Sequence, residues 1–157
     1  MEYFTRLTQQ ADLQVFGRKT YELMVPYWPD VVKDQSASKA DKEFAQAFVS
    51  TGKIVFSKSL RSVEAENTRI LRGNLHEEIL KLKQERGKDI LVGGVDIPSQ
   101  LIHLGLVDEF RFVLGPILAG EGRRLLDGVS LPEKLQLKLV DSKILKSGSV
   151  VLHYLKP

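Results

Sequence analysis

The stretch from residue 89 to 114 constrains the fold more than any other. Asp89 to Val92 reads as a strand whose apolar run Ile90-Leu91-Val92 meets Gly93-Gly94, Ile97 to Leu104 places apolar residues at helical spacing up to Gly105, and Phe110 to Leu114 reads as a strand again. Parallel strands need a crossover between them, and a helix bounded by glycines is the usual one. The same alternation fills the chain upstream. Tyr3, Phe4, Leu7 and Ala11 give residues 1 to 11 the period of an amphipathic helix, and Leu13 to Phe16 reads as a strand. Arg18 to Met24 reads as a helix stopped by Pro26, followed by a loop at Tyr27-Trp28-Pro29-Asp30. A solvated loop from Lys33 to Lys42 leads into a helix carrying Phe44, Ala47 and Phe48, which Gly52 ends. Lys53 to Phe56 and Asn67 to Leu71 are strands, and Leu75, Ile79, Leu80 and Leu82 mark one face of a helix that closes at Gly87.

The end of the chain changes character. Leu135, Leu137 and Leu139 alternate with polar residues, Ser147-Gly148-Ser149 forms a turn, and Val150 to Leu155 returns as an antiparallel partner. The expectation is a single α/β domain over residues 1–157, with a mostly parallel, doubly wound sheet flanked by helices and closed by an antiparallel hairpin.

A chain of 157 residues can bury on the order of 70% of its unfolded surface without disulfide staples. The net charge of +3 is spread along the chain, and the aromatic residues sit mainly within apolar runs rather than among cations, so a small anionic ligand suits it better than nucleic acid. No apolar run approaches a membrane span, Met1 opens no secretory signal, and there is no cysteine, which together predict a cytoplasmic protein without a membrane partner. His76, His103 and His153 are scattered and no metal site is expected.

Two segments carry the chemistry of an anion site. Gly93 and Gly94 lack Cβ atoms and let backbone N–H groups approach a ligand just before a helix N-terminus, which carries about half a positive charge. A tight turn with no ligand is the competing reading. Gly17-Arg18-Lys19-Thr20 likewise sets a glycine at a strand end with two cations in the first helical turn, where cations are unfavourable unless an anion offsets them. The alternative there is a solvated basic pair. Ser57-Lys58-Ser59 occupies a third strand end, and ligands in open α/β sheets bind along that edge. Gly120-Glu121-Gly122 with Arg123-Arg124 resembles half a dinucleotide fingerprint and reads as a loop. Tyr27 and Trp28 either line a pocket or interface or pack on the core, and His103 caps or packs.

GRKTYE at 17 to 22, KIVFSKSL at 53 to 60, and ILVGGVDIPSQLIHLGLVDEFRFVLGPILAGEG at 90 to 122 resemble the dihydrofolate reductase-like family, and within it the reductase domain of the riboflavin-biosynthesis deaminase/reductase and its stand-alone relatives. The resemblance implies an NADPH-dependent reductase, homodimeric, acting on a small molecule with a C=N or C=O bond. It implies that Arg18, Lys19 and Thr20, after Gly17, hold the 2′-phosphate and pyrophosphate. Ser57, Lys58 and Ser59 would lie near the adenosine, and Gly93, Gly94, Val95, Asp96 and Ile97 would wrap the pyrophosphate and the nicotinamide-side ribose. A non-catalytic nucleotide-binding module derived from such a reductase is the alternative.

This chain departs from the family pattern twice. Family members place a strand and a Leu-Asp-Gly type loop ahead of the helix that here begins at Met1, and that strand lies between those matching 89 to 92 and 110 to 114. Three outcomes are open: a shortened fold, direct pairing of those two strands, or a segment of another subunit in the slot. The riboflavin-pathway reductases also carry a ribose-binding glutamate where Val92 stands here, and valine cannot hydrogen-bond a ribityl hydroxyl. Reduction of the riboflavin precursor itself is therefore not expected.

Overall fold

The structure, a computed structural model, describes residues 1–63 and 67–157. The chain divides into two compact units, Met1–Ile97 and Pro98–Pro157.

The first unit is built on a parallel sheet. In chain order it contains α1 (Glu2–Gln9), β1 (Ala11–Gly17), α2 (Arg18–Met24), α3 (Tyr27–Lys33), α4 (Lys39–Ser50), β2 (Gly52–Phe56), β3 (Thr68–Leu71), α5 (Leu75–Gln84) and β4 (Asp89–Val92), and α6 (Asp96–His103) begins at its end. The strand order is β3-β2-β1-β4, with every neighbouring pair parallel. Register sets Phe16 beside Val55 and Val15 beside Ile54, so the two faces alternate residue by residue. Phe16 and Val55 join Tyr21, Val25, Phe44 and Phe48 in one cluster, while Val15 and Ile54 are fully buried on the opposite face. Burial on both faces explains why these strands read as continuous apolar runs.

Local chemistry fixes the helix ends. Ser38 caps α4 by accepting from the Asp41 backbone N–H, and Asn74 caps α5 by accepting from that of Glu77. The last carbonyls of α4 are satisfied from outside the helix. Lys53 Nζ donates to the carbonyls of Val49 and Thr51 at 3.3 and 2.8 Å, and the Asn67 amide donates to those of Val49, Ser50 and Thr51. The Lys53 ammonium also lies 4.7 Å from the centre of the Phe48 ring, and its burial lowers its pKa from 10.5 to about 8.

The expected loop at Tyr27-Trp28-Pro29-Asp30 is instead the start of α3. Pro29 falls in the first turn, where its missing N–H would have no helical partner, so it does not interrupt the helix. Trp28 packs on Phe44 with ring centres 4.5 Å apart, the core role weighed for it, while Tyr27 stays exposed. Gly52 opens β2 rather than ending α4, and α5 stops at Gln84 ahead of Gly87.

The second unit is antiparallel. After the end of α6, β5 (Glu109–Leu114), β6 (Lys138–Ile144) and β7 (Val150–Leu155) form a sheet of order β5-β7-β6. Gly105, at φ +70°, ends α6 by donating to the Ile102 carbonyl while Leu106 donates to that of Leu101. The closing hairpin forms with Val150–Leu155 as its second strand, as expected, but its first strand is Lys138–Ile144, so Leu135 and Leu137 lie outside it. Strand–helix alternation would add β5 to the parallel sheet, but β5 pairs along its whole length with β7. Direct pairing of β4 with β5 is not among the strand pairs of the described residues. His103 Nδ1 lies 2.6 Å from the Ser130 carbonyl, and Glu109 holds both Arg111 and His153 on the sheet surface.

Candidate functional site

The C-terminal ends of β2, β1 and β4 stand side by side with β1 in the middle. Register aligns Gly17 with Phe56 and Val15 with Val92, so Gly17, Ser57 and Gly93 leave the sheet at nearly the same level. All three segments singled out in the sequence therefore meet on one edge of the first unit.

Two of them interlock. Gly94 has φ +91°, and a Cβ built there would lie 2.5 Å from Thr20 Oγ1, so the Gly93-Gly94 turn rests directly on the first turn of α2. Only glycine fits Gly94 on both counts. A Cβ at Gly17 would meet Ile97 Cγ1 at 3.4 Å, which ties the start of α2 to the start of α6. Gly93 differs from its neighbour: a Cβ there would make ordinary contact with the Phe16 ring at 3.5 Å, and its N–H donates to the Val15 carbonyl. The protein's own packing demands Gly94 and leaves Gly93 with room.

The two helix starts carry different charge. Asp96 supplies an acid in the first turn of α6, which offsets the positive end of that helix. The first turn of α2 holds no acid, its N-cap Gly17 offers no side-chain bond, and the exposed Arg18 and Lys19 add two positive charges. Arg18 Nη1 donates to both oxygens of Glu22, at 3.2 and 3.3 Å, one turn along. Lys19 has no ion pair among the described residues.

The third segment has a dual character. Ser57 is buried and its Oγ accepts from the backbone N–H groups of Ser59 and Leu60, so this hydroxyl shapes the loop. Lys58 and Ser59 are exposed beyond it. Arg72, just after β3, also acts on this loop. Its guanidinium donates to the carbonyls of Ser57, Leu60 and Arg61 and clamps the loop from beneath. A lone arginine behind a strand gives no local signal for contacts made 11 to 15 residues away. Glu22 was legible, since an acid four residues after an arginine on a helix is a standard pair.

The residues fit a phosphate-bearing ligand. A glycine turn that a Cβ would fill, a helix start without a capping side chain, and cations at two adjacent strand ends are the donor set an anionic dinucleotide needs.

A parallel sheet with such loops at its carboxyl edge, followed by antiparallel closing strands, defines the dihydrofolate reductase-like class of α/β proteins. Over residues 1–151 the chain matches the RibD C-terminal domain, and it belongs to that family, whose fold is that of riboflavin-pathway reductases. A relative in Bacillus subtilis strain 168, the uncharacterized protein YyaP, is 33% identical over 152 residues, covering 96% of this chain and 77% of the relative. Among solved structures, a protein assigned to riboflavin biosynthesis from Shewanella sp. PV-4 superposes with a TM-score of 0.75 at 19% identity, covering 98% of this chain and 78% of that one. A pyrimidine reductase-like protein from Corynebacterium diphtheriae gives 0.61 at 15% identity, covering 98% and 79%. At these identities the two structures speak for the fold alone.

Proposed function

We propose that the chain is a cytoplasmic NADPH-dependent reductase that transfers a hydride to the carbon of a C=N or C=O bond in a small pterin-like or riboflavin-pathway-like molecule. The observation that carries this reading is the meeting of three phosphate-type segments on one sheet edge, two of them interlocked through Gly94 and Thr20. Membership of a reductase family supports it. NADPH would supply the hydride and leave as NADP⁺, the nitrogen or oxygen of the substrate would take up a proton, and the protein supplies orientation. Arg18, Lys19 and Thr20 take the 2′-phosphate and pyrophosphate. Lys58 and Ser59, on the loop shaped by Ser57, face the adenosine. Gly93, Gly94, Val95, Asp96 and Ile97 wrap the pyrophosphate and the second ribose. Val92 precedes this turn with an apolar side chain, which argues against a ribityl substrate.

Titration with NADPH and NADH, followed by nicotinamide fluorescence and calorimetric heat, tests the cofactor. The expected result is micromolar binding with NADPH preferred, and a preference that collapses when Arg18→Ala and Lys19→Ala are combined. Equal losses for both nucleotides would refute the 2′-phosphate role, and no binding of either would refute the reading. Oxidation of bound NADPH on addition of pterin-like and riboflavin-pathway-like compounds separates a reductase from a non-catalytic nucleotide-binding module.

A further inference from the structure

The loop after β2, residues 57–61, spends most of its backbone hydrogen bonds within the chain. Ser57 Oγ accepts from the N–H groups of Ser59 and Leu60 at 3.3 and 3.0 Å, so the chain curls around that buried hydroxyl. The Ser57 N–H itself donates to the Leu71 carbonyl at the end of β3. The carbonyls of Ser57, Leu60 and Arg61 converge on a single side chain, the guanidinium of Arg72.

Register explains the meeting. Strands β2 and β3 run parallel with Phe56 beside Leu71, so the next residue of each, Ser57 and Arg72, leaves the sheet at the same level. Arg72 Nη1 donates to the Ser57 carbonyl at 3.1 Å, and Nη2 donates to those of Leu60 and Arg61. A planar fork with donors at fixed spacing holds the first residue of the loop and its last two at the same time. A lysine carries the same charge on one nitrogen, without the fork. Leu60 adds a further anchor by packing against the core cluster of Phe16, Phe48 and Val55.

The N–H groups of Ser57, Ser59 and Leu60 and the carbonyls of Ser57, Leu60 and Arg61 are thus committed inside the protein. The exposed side chains of Lys58 and Ser59 are what this loop presents to a ligand. Such side chains are useful only if the backbone beneath them is fixed, since ordering a loose loop costs conformational entropy that is lost from affinity.

We propose that Arg72 is a positioning residue for nucleotide binding: it holds the 57–61 loop in its bound shape before the ligand arrives, so that Lys58 and Ser59 meet the adenosine half of NADPH. This role rests on the reading of NADPH as the cofactor. Arg72 acts through the loop and not by contact with the nucleotide.

A double-mutant cycle, read by titration with NADPH, tests it. The variants are Arg72→Lys, Lys58→Ala combined with Ser59→Ala, and all three substitutions together, each checked for folding by circular dichroism and thermal unfolding. Arg72→Lys keeps the charge and removes the fork, and is expected to weaken NADPH about tenfold with the fold intact. The Lys58 and Ser59 double variant is expected to lose affinity as well. Adding Arg72→Lys to it is expected to cost little more, because the side chains that Arg72 positions are already gone. Additive losses would overturn the positioning role, and so would tight binding by Arg72→Lys or by the Lys58 and Ser59 double variant. None of these outcomes touches NADPH binding by the wild type. A wild type that binds no NADPH overturns the role of Arg72 together with the cofactor reading. Should Arg72→Lys fail to fold, amide hydrogen exchange of the wild type decides. The Ser59 and Leu60 N–H groups are expected to be protected before NADPH is added, and exchange at the rate of an open chain until NADPH binds would overturn the proposal.

Discussion

Strand β1 and strand β6 are both seven residues long, and they differ in almost everything else. β1 lies inside a parallel sheet with Val15, Phe16 and Gln14 buried, whereas β6 borders an antiparallel sheet with every residue exposed. The β1 sequence is dictated by packing on two faces, and its end, Gly17, opens the candidate site. Packing within the chain does not dictate the β6 sequence, and its charges and its register irregularity between Leu139 and Asp141 are what keeps an exposed edge from pairing. Where the fold fully determines a strand, chemistry moves to the loops beyond it. Where the fold leaves an edge open, the sequence is free to be polar.

The sharpest way to break this contrast is to truncate matching apolar side chains. Ile54 on β2 is fully buried and Ile144 on β6 is 80% exposed. Ile54→Ala is expected to cost about 2–5 kcal/mol in stability, and Ile144→Ala less than about 0.5 kcal/mol, both measured by urea unfolding at a concentration where the chain is monomeric. Comparable losses would mean that the two sheets are equally determined by packing.

Much of this contrast is legible in the sequence. Helix α2 and strand β4 carried their own boundaries, because glycine and proline act locally and apolar periodicity repeats within a few residues. The closing hairpin was legible for the same reason. Helix α3 was not, since Pro29 signals a break unless its place in the first turn is known. The partner of β5 also escaped, because a strand's period is the same whether its neighbour runs parallel or antiparallel. At the site, the three segments at strand ends could be read from their glycines and cations. The contact of Gly94 with Thr20 joins residues more than seventy positions apart, and nothing in either segment announces it.

The two glycines of that turn give the next test. Gly94→Ala must adopt φ +91° and displace Thr20, which is expected to cost about 1–3 kcal/mol and to weaken NADPH binding. Gly93→Ala meets only ordinary contact with Phe16 and is expected to stay within about 0.5 kcal/mol of the wild type in thermal unfolding. Any loss of NADPH affinity in Gly93→Ala without loss of stability would then report on the ligand's own approach to the turn.

Lys53 connects pH to the buried region. Its pKa in the folded chain, about 8, lies below its ordinary value of 10.5, so between these values the unfolded chain holds a proton that the folded chain has lost. Stability therefore rises as pH increases from about 8 to 10.5, and below that window the cost of the buried charge is fully present. A shift of this size sets the rise at no more than about 3 kcal/mol, and the carbonyls of Val49 and Thr51 with the Phe48 ring, which favour the ammonium, oppose the shift. Lys53→Met should remove this contribution to the pH dependence, which chemical unfolding at pH values across the window would detect. An unchanged slope in the variant would assign the rise to other groups.

The smallest expected effect concerns how the site waits for its ligand. The proposed function gives Arg18 the 2′-phosphate, yet in the free chain its guanidinium is held by the Glu22 carboxylate, with both side chains nearly half exposed. Phosphate must displace that carboxylate and then tolerate its charge one helical turn away. Lys19, with no such partner among the described residues, bears no equivalent cost. An exposed pair of this kind is worth under about 1 kcal/mol, so Glu22→Gln should tighten NADPH by about two- to fivefold and leave NADH unchanged. The gain should shrink at high salt, because the opposed charges are screened on the scale of a Debye length. Equal tightening of both nucleotides would show that Glu22 acts on the pyrophosphate or on the helix end instead, and would move Arg18 away from the 2′-phosphate. No change for either would leave Lys19 as the cation that distinguishes the two nucleotides, with the Arg18–Glu22 pair serving only the α2 helix.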